Sequence, residues 1–310
     1  MEKEMKKILV TPRSLSKQGD PEIERLRNEG FEVLMPFPGK QPNEEELLSV
    51  VGDISGYLAG VEKITRKVME HAPELKVISR FGVGLDAVDL EAAKELNIMV
   101  QGTVGSNSQG VAELALALLL SSARNIPESS QSIKNGKWER SKGIELSGKT
   151  LGIVGCGQIG QRLARMAIGI GMNVIGFDLY QSPTLELMAG FSYVTMQELI
   201  TRSDAISLHC PPDTFPLVNS DFLSNSRDGL MLINTARSKL VDNEALLIAL
   251  QSGKVLSYAV DAFDKEPPEL NDLYQHERVI LSPHIGGYTH ESIMRTAKSS
   301  VDTLLKILKE

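Results

Sequence analysis

Residues 151–178, LGIVGCGQIGQRLARMAIGIGMNVIGFD, decide how this chain is read. An apolar, strand-like run ends on Gly155, Gly157 and Gly160 in the spacing GxGxxG. A helix-like pattern follows, and a second apolar run closes on Asp178. Glycines at those places allow a tight turn, close approach of a pyrophosphate to the backbone, and close packing of helix on strand. The unpaired N–H groups at the start of the helix then suit phosphate oxygens. Asp178 stands where a carboxylate accepts hydrogen bonds from an adenosine ribose. A carboxylate there repels a 2′-phosphate, and no arginine follows in DLYQSP, so NAD is expected rather than NADP. Glycine-rich turns also occur without a ligand, and methyltransferases show a similar loop and acid. The motif alone therefore names no reaction.

At 310 residues the chain exceeds the usual size of one core, which predicts two domains. Short apolar runs alternate with amphipathic stretches throughout, the βαβ rhythm of parallel α/β sheets. Five strand candidates come first: KILV (7–10), FEVLM (31–35), ISGYL (54–58), LKVIS (75–79) and NIMV (97–100). About seven follow from Lys149: TLGIVG, NVIGFD, FSYV, AISLHC, GLMLINT, VLSYAVDAF and RVILSPH. The final segment, ESIMRTAKSSVDTLLKILKE, has Ile293, Ala297, Val301, Leu304 and Leu305 at helical spacing. With no strand after it, this helix is expected to pack back on the first domain, making that domain discontinuous.

Composition narrows the function classes. The chain is 42% hydrophobic and 24% charged, with net charge −7, so neither disorder nor a general nucleic-acid surface is expected. The opening MEKEMKKILV has no signal-like apolar core, and VAELALALLL (111–120) is too short to span a bilayer and contains Glu113. It is expected to be a buried helix, and the protein cytoplasmic, with no membrane partner. Cys156 and Cys210 are far apart and lack metal-ligand spacing, so no structural zinc is expected. Trp138, in NGKWER, is expected to anchor a surface segment or a subunit contact.

Three further segments end candidate strands, on the side where open α/β sheets bind ligands. They are INTARSKLVD with Arg237, VDAFDKEP with Asp261 and Glu266, and LSPHIGG with His284. Together they bring a guanidinium, carboxylates and an imidazole. In order along the chain, RFGVGLDAVDL, VAELALALLL, GKTLGIVGCGQIG, LHCPP, NTAR, VDAFDKEP and SPHIGG resemble the NAD-dependent D-2-hydroxyacid dehydrogenases, most closely the phosphoglycerate dehydrogenase branch. The resemblance implies two doubly wound parallel-sheet α/β domains. An NAD-binding Rossmann domain (102–285) is inserted in a smaller flavodoxin-like substrate domain (1–101 and 286–310).

The resemblance also assigns roles. Arg237, Glu266 and His284 become the catalytic set. Gly155, Gly157, Gln158, Ile159, Gly160, Asp178, His209, Cys210, Thr235, Ala236, Asp261, Gly286 and Gly287 become cofactor contacts. Arg80, Gly82, Val83 and Gly84 become substrate contacts, with Arg80 able to read an anionic tail. The chemistry is coherent: moving a hydride at C2 of a hydroxyacid requires a proton acceptor near neutrality. His284 meets that need, Glu266 would raise its pKa, and the planar fork of Arg237 suits a carboxylate.

The expected substrate is a short 2-hydroxyacid or 2-keto acid, with 3-phosphoglycerate leading, glyoxylate or hydroxypyruvate next, and a homodimer as the assembly. Two departures stand out. Ser238 and Lys239 follow Arg237 where many relatives have two glycines, and Ala59 occupies the place where phosphoglycerate dehydrogenases typically carry an arginine. A corepressor-like NAD-sensing protein is the alternative from another class.

Overall fold

The computed structural model describes residues 5–15 and 19–309. Met1–Glu4 of the opening segment and Glu310 of the expected last helix lie outside the described residues. The chain divides into two compact units, Met1–Asn107 with Thr289–Glu310, and Ser108–Tyr288.

The smaller unit carries five strands, β1 (Lys7–Val10), β2 (Glu32–Leu34), β3 (Ile54–Ala59), β4 (Val77–Arg80) and β5 (Met99–Gly102), in the order β2-β1-β3-β4-β5. Every pairing is parallel, and the order is that of flavodoxin-like sheets. Both faces are covered, as a parallel sheet requires. Alternation along each strand feeds two cores. Leu9, Tyr57 and Ile78 join Leu47, Val68 and Ala92 on one face, while Ile8, Leu58 and Val77 join Leu26, Leu304 and Leu308 on the other.

The C-terminal helix, His290–Lys309, belongs to this unit and lies along β3 and β4. Of its expected apolar positions, Ala297, Val301, Leu304 and Leu305 are buried and Ile293 is half-buried. The approach is close because Gly56 in β3 has no side chain. A Cβ there would stand 2.8 Å from Leu308 Cδ1 and 3.2 Å from Leu304 Cδ2.

The larger unit has seven strands: β6 (Thr150–Val154), β7 (Asn173–Phe177), β8 (Phe191–Tyr193), β9 (Ala205–Leu208), β10 (Leu230–Asn234), β11 (Val255–Val260) and β12 (Val279–Leu281). Their order is β12-β11-β10-β9-β6-β7-β8, all parallel. This is the Rossmann pattern with one strand added, and strand order reverses between β6 and β9. Helices Ser108–Arg124 and Gln158–Gly169 pack on one face. The first of these corrects an expectation: VAELALALLL is not buried all round. Ala112, Ala115 and Leu119 enter the core, whereas Glu113 and Leu120 face solvent. Among the described residues, no helix is long and apolar enough to cross a membrane.

Trp138 is 80% exposed in a segment without helix or strand.

Gly56→Ala should destabilise the protein by about 1–3 kcal/mol, the usual cost of an added methyl in a filled contact. Denaturant unfolding checks this. Combined with Leu308→Ala, the total loss should be smaller than the sum of the two single losses, because the two changes share one contact.

Candidate active site

The glycine turn sits at the carboxyl end of β6, where strand order reverses. Gly155 has φ +94°, and a Cβ on it would lie 2.5 Å from the carbonyl carbon of His209 and 2.6 Å from the Cys210 nitrogen. Those contacts are backbone and cannot yield. Gly160 abuts the Gly155 carbonyl oxygen in the same way, closer still, which fixes the distance between helix and strand.

Gly157 differs, because a Cβ there would meet nothing within 4 Å. It is the N-cap of Gln158–Gly169, so no side chain caps the first N–H groups of the helix. An anion has room and donors there. Gln158 is exposed, while Ile159 is half-buried and packs on the core. Gln161 was not anticipated from sequence; its Nε2 braces the turn by donating to the Cys156 carbonyl at 3.3 Å.

Asp178 follows β7. Its Oδ2 accepts from the Cys156 N–H at 2.6 Å and its Oδ1 from the Tyr180 N–H at 3.0 Å. These bonds aim the carboxylate and leave each oxygen a lone pair for a hydroxyl. At the ends of β9 and β10, His209 Nδ1 and Thr235 Oγ1 are buried without a hydrogen-bond partner. His209 Nε2 pairs with the Ser207 hydroxyl at 2.9 Å, and burial pushes the imidazole pKa down to about 4. A neutral ring with an unused nitrogen suits a polar ligand group. Cys210 is half-buried beside it, and burial raises its thiol pKa. The open cradle at Gly157, the aimed carboxylate and the unpartnered polar atoms all fit a dinucleotide.

The loop after β10 carries Ala236 and Arg237. It is braced by the fully buried Asn234, whose Oδ1 accepts from the Ala236 N–H at 3.0 Å and whose Nδ2 donates to the Arg237 carbonyl at 2.8 Å. Arg237 Nη1 donates to the Ala236 carbonyl at 2.8 Å.

Asp261, at the end of β11, is 2% exposed. It accepts from Ser282 Oγ (2.6 Å), the Ile285 N–H (2.9 Å) and the Gly286 N–H (2.8 Å). These bonds straddle His284 and hold its backbone at φ +52°, where few non-glycine residues sit. Gly286 is tightly packed, since a Cβ would lie 3.1 Å from Asp261 Oδ2, and Gly287 is half-buried next to it. Asp261 thus braces the histidine loop and keeps acceptor capacity on Oδ2 alone. Asn234 and Ser282 were also missed as braces. A polar residue ending an apolar run, as in GLMLIN, is the signal that points to the first of them.

Glu266 Oε1 lies 2.7 Å from His284 Nδ1 and also accepts from the Phe263 N–H at 3.2 Å. With Nδ1–H committed as donor, Nε2 is left to exchange a proton. The hydrogen bond from Glu266 raises the His284 pKa, against desolvation and the nearby Arg237 charge. Desolvation is the largest influence on the Glu266 carboxyl and pushes its pKa up, but the bond and charge of His284, the Phe263 N–H and the Arg237 charge together make the net shift downward. The larger unit therefore gathers Arg237, Glu266 and His284 beside the glycine turn.

In the smaller unit, Arg80 ends β4 and the GVG loop winds round it. Arg80 Nη1 donates to the Phe81 carbonyl, and a Cβ on Gly82 (φ +143°) would lie 2.7 Å from that nitrogen. The Gly82 carbonyl accepts from the Thr103 N–H at 2.9 Å. Val83 is exposed and Gly84 half-exposed at the loop tip. Ala59 is fully buried. Three residues on, Glu62 is a buried carboxylate that sequence reading overlooked. Its Oε1 accepts from Tyr57 Oη (2.8 Å), the Gly60 N–H (2.8 Å) and the Thr11 hydroxyl. Nothing in GVEKIT marks it as buried.

A Rossmann sheet whose strand ends present an arginine and a glutamate–histidine pair defines a dinucleotide-linked oxidoreductase site. The chain belongs to the D-isomer specific 2-hydroxyacid dehydrogenases: the family's NAD-binding-domain model matches residues 116–286. It is 39% identical over 272 residues to a D-3-phosphoglycerate dehydrogenase of Methanocaldococcus jannaschii, covering 86% of this chain and 52% of that protein. The chain therefore spans about half the length of the curated phosphoglycerate dehydrogenases it matches. A glyoxylate reductase of Thermococcus litoralis is 35% identical over 98% of this chain and 94% of its own length. Among solved structures, a protein from Thermus thermophilus superposes with a TM-score of 0.88 at 35% identity, covering 98% of this chain and 97% of that one.

Gly157→Ala should fold with unchanged stability, because its methyl meets no protein atom, yet should weaken NADH binding at least tenfold, about 1.4 kcal/mol. Fluorescence titration of NADH together with a thermal melt measures both. Unchanged affinity would remove the cradle from the cofactor site.

Proposed function

We propose that the protein interconverts a short D-2-hydroxyacid and its 2-keto acid, with NAD as the hydride carrier. The observation that carries this reading is the 2.7 Å His284–Glu266 pair, beside an arginine whose charge reaches both groups. When bound, the nicotinamide supplies or accepts the hydride. The protein's own groups do the rest. In keto-acid reduction, protonated His284 gives its Nε2 proton to the C2 oxygen, and Glu266 stabilises the imidazolium through Nδ1. Arg237 holds the substrate carboxylate and polarises the carbonyl with a planar fork that lysine lacks.

For the substrate we infer 3-phosphoglycerate and phosphohydroxypyruvate, and with them a place in serine biosynthesis. Support comes from the 39% identity to a phosphoglycerate dehydrogenase and from Arg80 at the end of β4. A second reading, glyoxylate or hydroxypyruvate, is favoured by Ala59, an apolar and fully buried residue where a phosphate-binding arginine is expected. NADH oxidation over a panel of phosphohydroxypyruvate, hydroxypyruvate, glyoxylate and pyruvate separates the two. Intact NADH binding with no turnover on any of them would favour the corepressor-like alternative.

We further propose a cytoplasmic homodimer. The exposed apolar residues Leu120, Ile126, Ile133 and Trp138 support an assembly surface on the 108–138 segment. Sedimentation at several concentrations tests it, and a monomer throughout would reject it. Asp178 should make NADH better than NADPH by at least about tenfold in kcat/KM.

The pH dependence follows from the raised His284 pKa. Reduction needs the imidazolium, so the rate holds at low pH and falls as pH rises through that pKa. Glu266→Gln removes the stabilising charge and should move this alkaline limb to lower pH, with NADH affinity nearly unchanged. His284→Asn should lose roughly two to four orders of magnitude in turnover and keep the cofactor. Near-normal turnover in that variant would overturn the mechanism. Arg237→Lys should lower turnover and raise the keto-acid KM together.

A further inference from the structure

The departure at Ser238 has a partner. Ser238 directly follows Arg237, is 9% exposed, and its hydroxyl donates to Asp264 Oδ1 at 2.6 Å. Asp264 lies in the loop after β11, two residues before Glu266 in the sequence DAFDKEP. Glycine at 238 could make no such bond. The neighbouring Phe263 N–H, 3.2 Å from Glu266 Oε1, belongs to the same loop, and that oxygen also takes His284 Nδ1. A continuous path therefore runs from Arg237 through Ser238 and Asp264 to the glutamate–histidine pair, with the Ser238–Asp264 hydrogen bond crossing between the two loops.

We propose that the Ser238–Asp264 hydrogen bond is a latch that fixes the guanidinium of Arg237 relative to the Glu266–His284 pair. Ser238 and Asp264 are positioning residues, and their catalytic effect rests on the activity proposed above. A hydroxyl donating to a carboxylate is among the stronger neutral-to-charged hydrogen bonds, short and directional. It is suited to holding together two loops that leave the adjacent strands β10 and β11, beyond the backbone bond from Asp261 N–H to the Asn234 carbonyl (3.0 Å) at their bases. The loop of Arg237 is held from below by Asn234, and the loop of His284 by Asp261. Neither of those braces sets the distance from arginine to glutamate, and the latch supplies that constraint. Orientation at a reacting centre is sensitive, because a displacement of about 1 Å can cost a hundredfold in rate.

The test uses the full chain with Ser238→Ala, Asp264→Ala, the double variant, and Ser238→Thr, which keeps the hydroxyl. On the best keto acid of the panel, each alanine variant should lower kcat and raise the keto-acid KM, for a combined loss in kcat/KM of about tenfold to a hundredfold. NADH affinity and melting temperature should stay close to wild type. The double variant should be no worse than either single one, as for two partners of one interaction. Ser238→Thr should restore most of the loss. Additive losses, or losses matched by weaker NADH binding and a lower melting temperature, would mark a merely structural contact and overturn the proposal.

Hydrogen exchange followed by mass spectrometry gives a readout that needs no turnover. Ser238→Ala should speed exchange in the 261–267 segment, and Asp264→Ala should speed it in the 236–241 segment. Without that reciprocal change the latch fails, whether or not the wild type reduces a keto acid. An inactive wild type with the reciprocal change intact would instead sink the proposed activity and keep the latch.

Discussion

Parallel pairing throughout both sheets is the constraint from which the site follows. Strands that run the same way cannot be joined by a hairpin, so each connection must cross over, usually through a helix, and return to the starting edge. All carboxyl ends of one sheet then lie along one edge. In the larger unit this gathers the glycine turn after β6, His209 after β9, the Arg237 loop after β10, Asp261 after β11 and His284 after β12. Residues far apart in sequence are thereby brought to one edge, the β11–β12 connection (261–278) doing so with neither helix nor strand. The same rule gathers Thr11, Gly60 and Arg80 at the ends of β1, β3 and β4 in the smaller unit.

Topology brings the loops to one edge but does not fix their conformations. That is done by buried polar groups, each hydrogen-bonded to backbone or hydroxyl partners. Asp261 takes donors from three residues, Asn234 both donates and accepts within one turn, and Glu62 takes three donors on one oxygen. A buried carboxylate is costly unless so satisfied, and removing one partner leaves the charge exposed to that cost. Such clusters hold one loop geometry firmly because any other leaves an acceptor empty. Close approaches at glycine do the complementary work. A Cβ on Gly176 would stand 2.6 Å from Cys156 Sγ, so the thiol fills the space under the turn. Burial raises the Cys156 thiol pKa to about 12, leaving it protonated and inert.

The sequence made the sheets legible because apolar runs of strand length recur with helical stretches between them. Every strand from KILV to RVILSPH forms within a few residues of its expected place. NIMV is the instructive departure. Asn97 has φ +57° and still belongs to the turn, so β5 begins only at Met99 and extends to Gly102. A left-handed asparagine is invisible to hydrophobic pattern. The His284–Glu266 pair was legible through the order of motifs. The bracing role of Asp261 was not, because a carboxylate beside a motif reads equally well as a ligand contact and as a loop support. Glu62 was hidden for a related reason: its three donors come from residues 11, 57 and 60, and only folding puts the first of these beside the others.

The proton affinity of His284 reflects opposed influences of burial, hydrogen bonding and charge. The hydrogen bond to Glu266 raises the affinity of His284 for its proton, while desolvation and, to a smaller degree, the Arg237 charge lower it. Coulombic effects vary steeply with distance at this range, so the place at which the guanidinium is held adds to the influence of Glu266 and burial on that pKa. A catalytic imidazole near neutrality must be able both to give and to take a proton. Glutamate alone would bind the proton too firmly for oxidation, and an arginine too near would leave too little imidazolium for reduction. On the latch proposed above, the loops after β10 and β11 set that distance, and the tuning of the site then resides in their backbone as well as in the side chains of Arg237, Glu266 and His284.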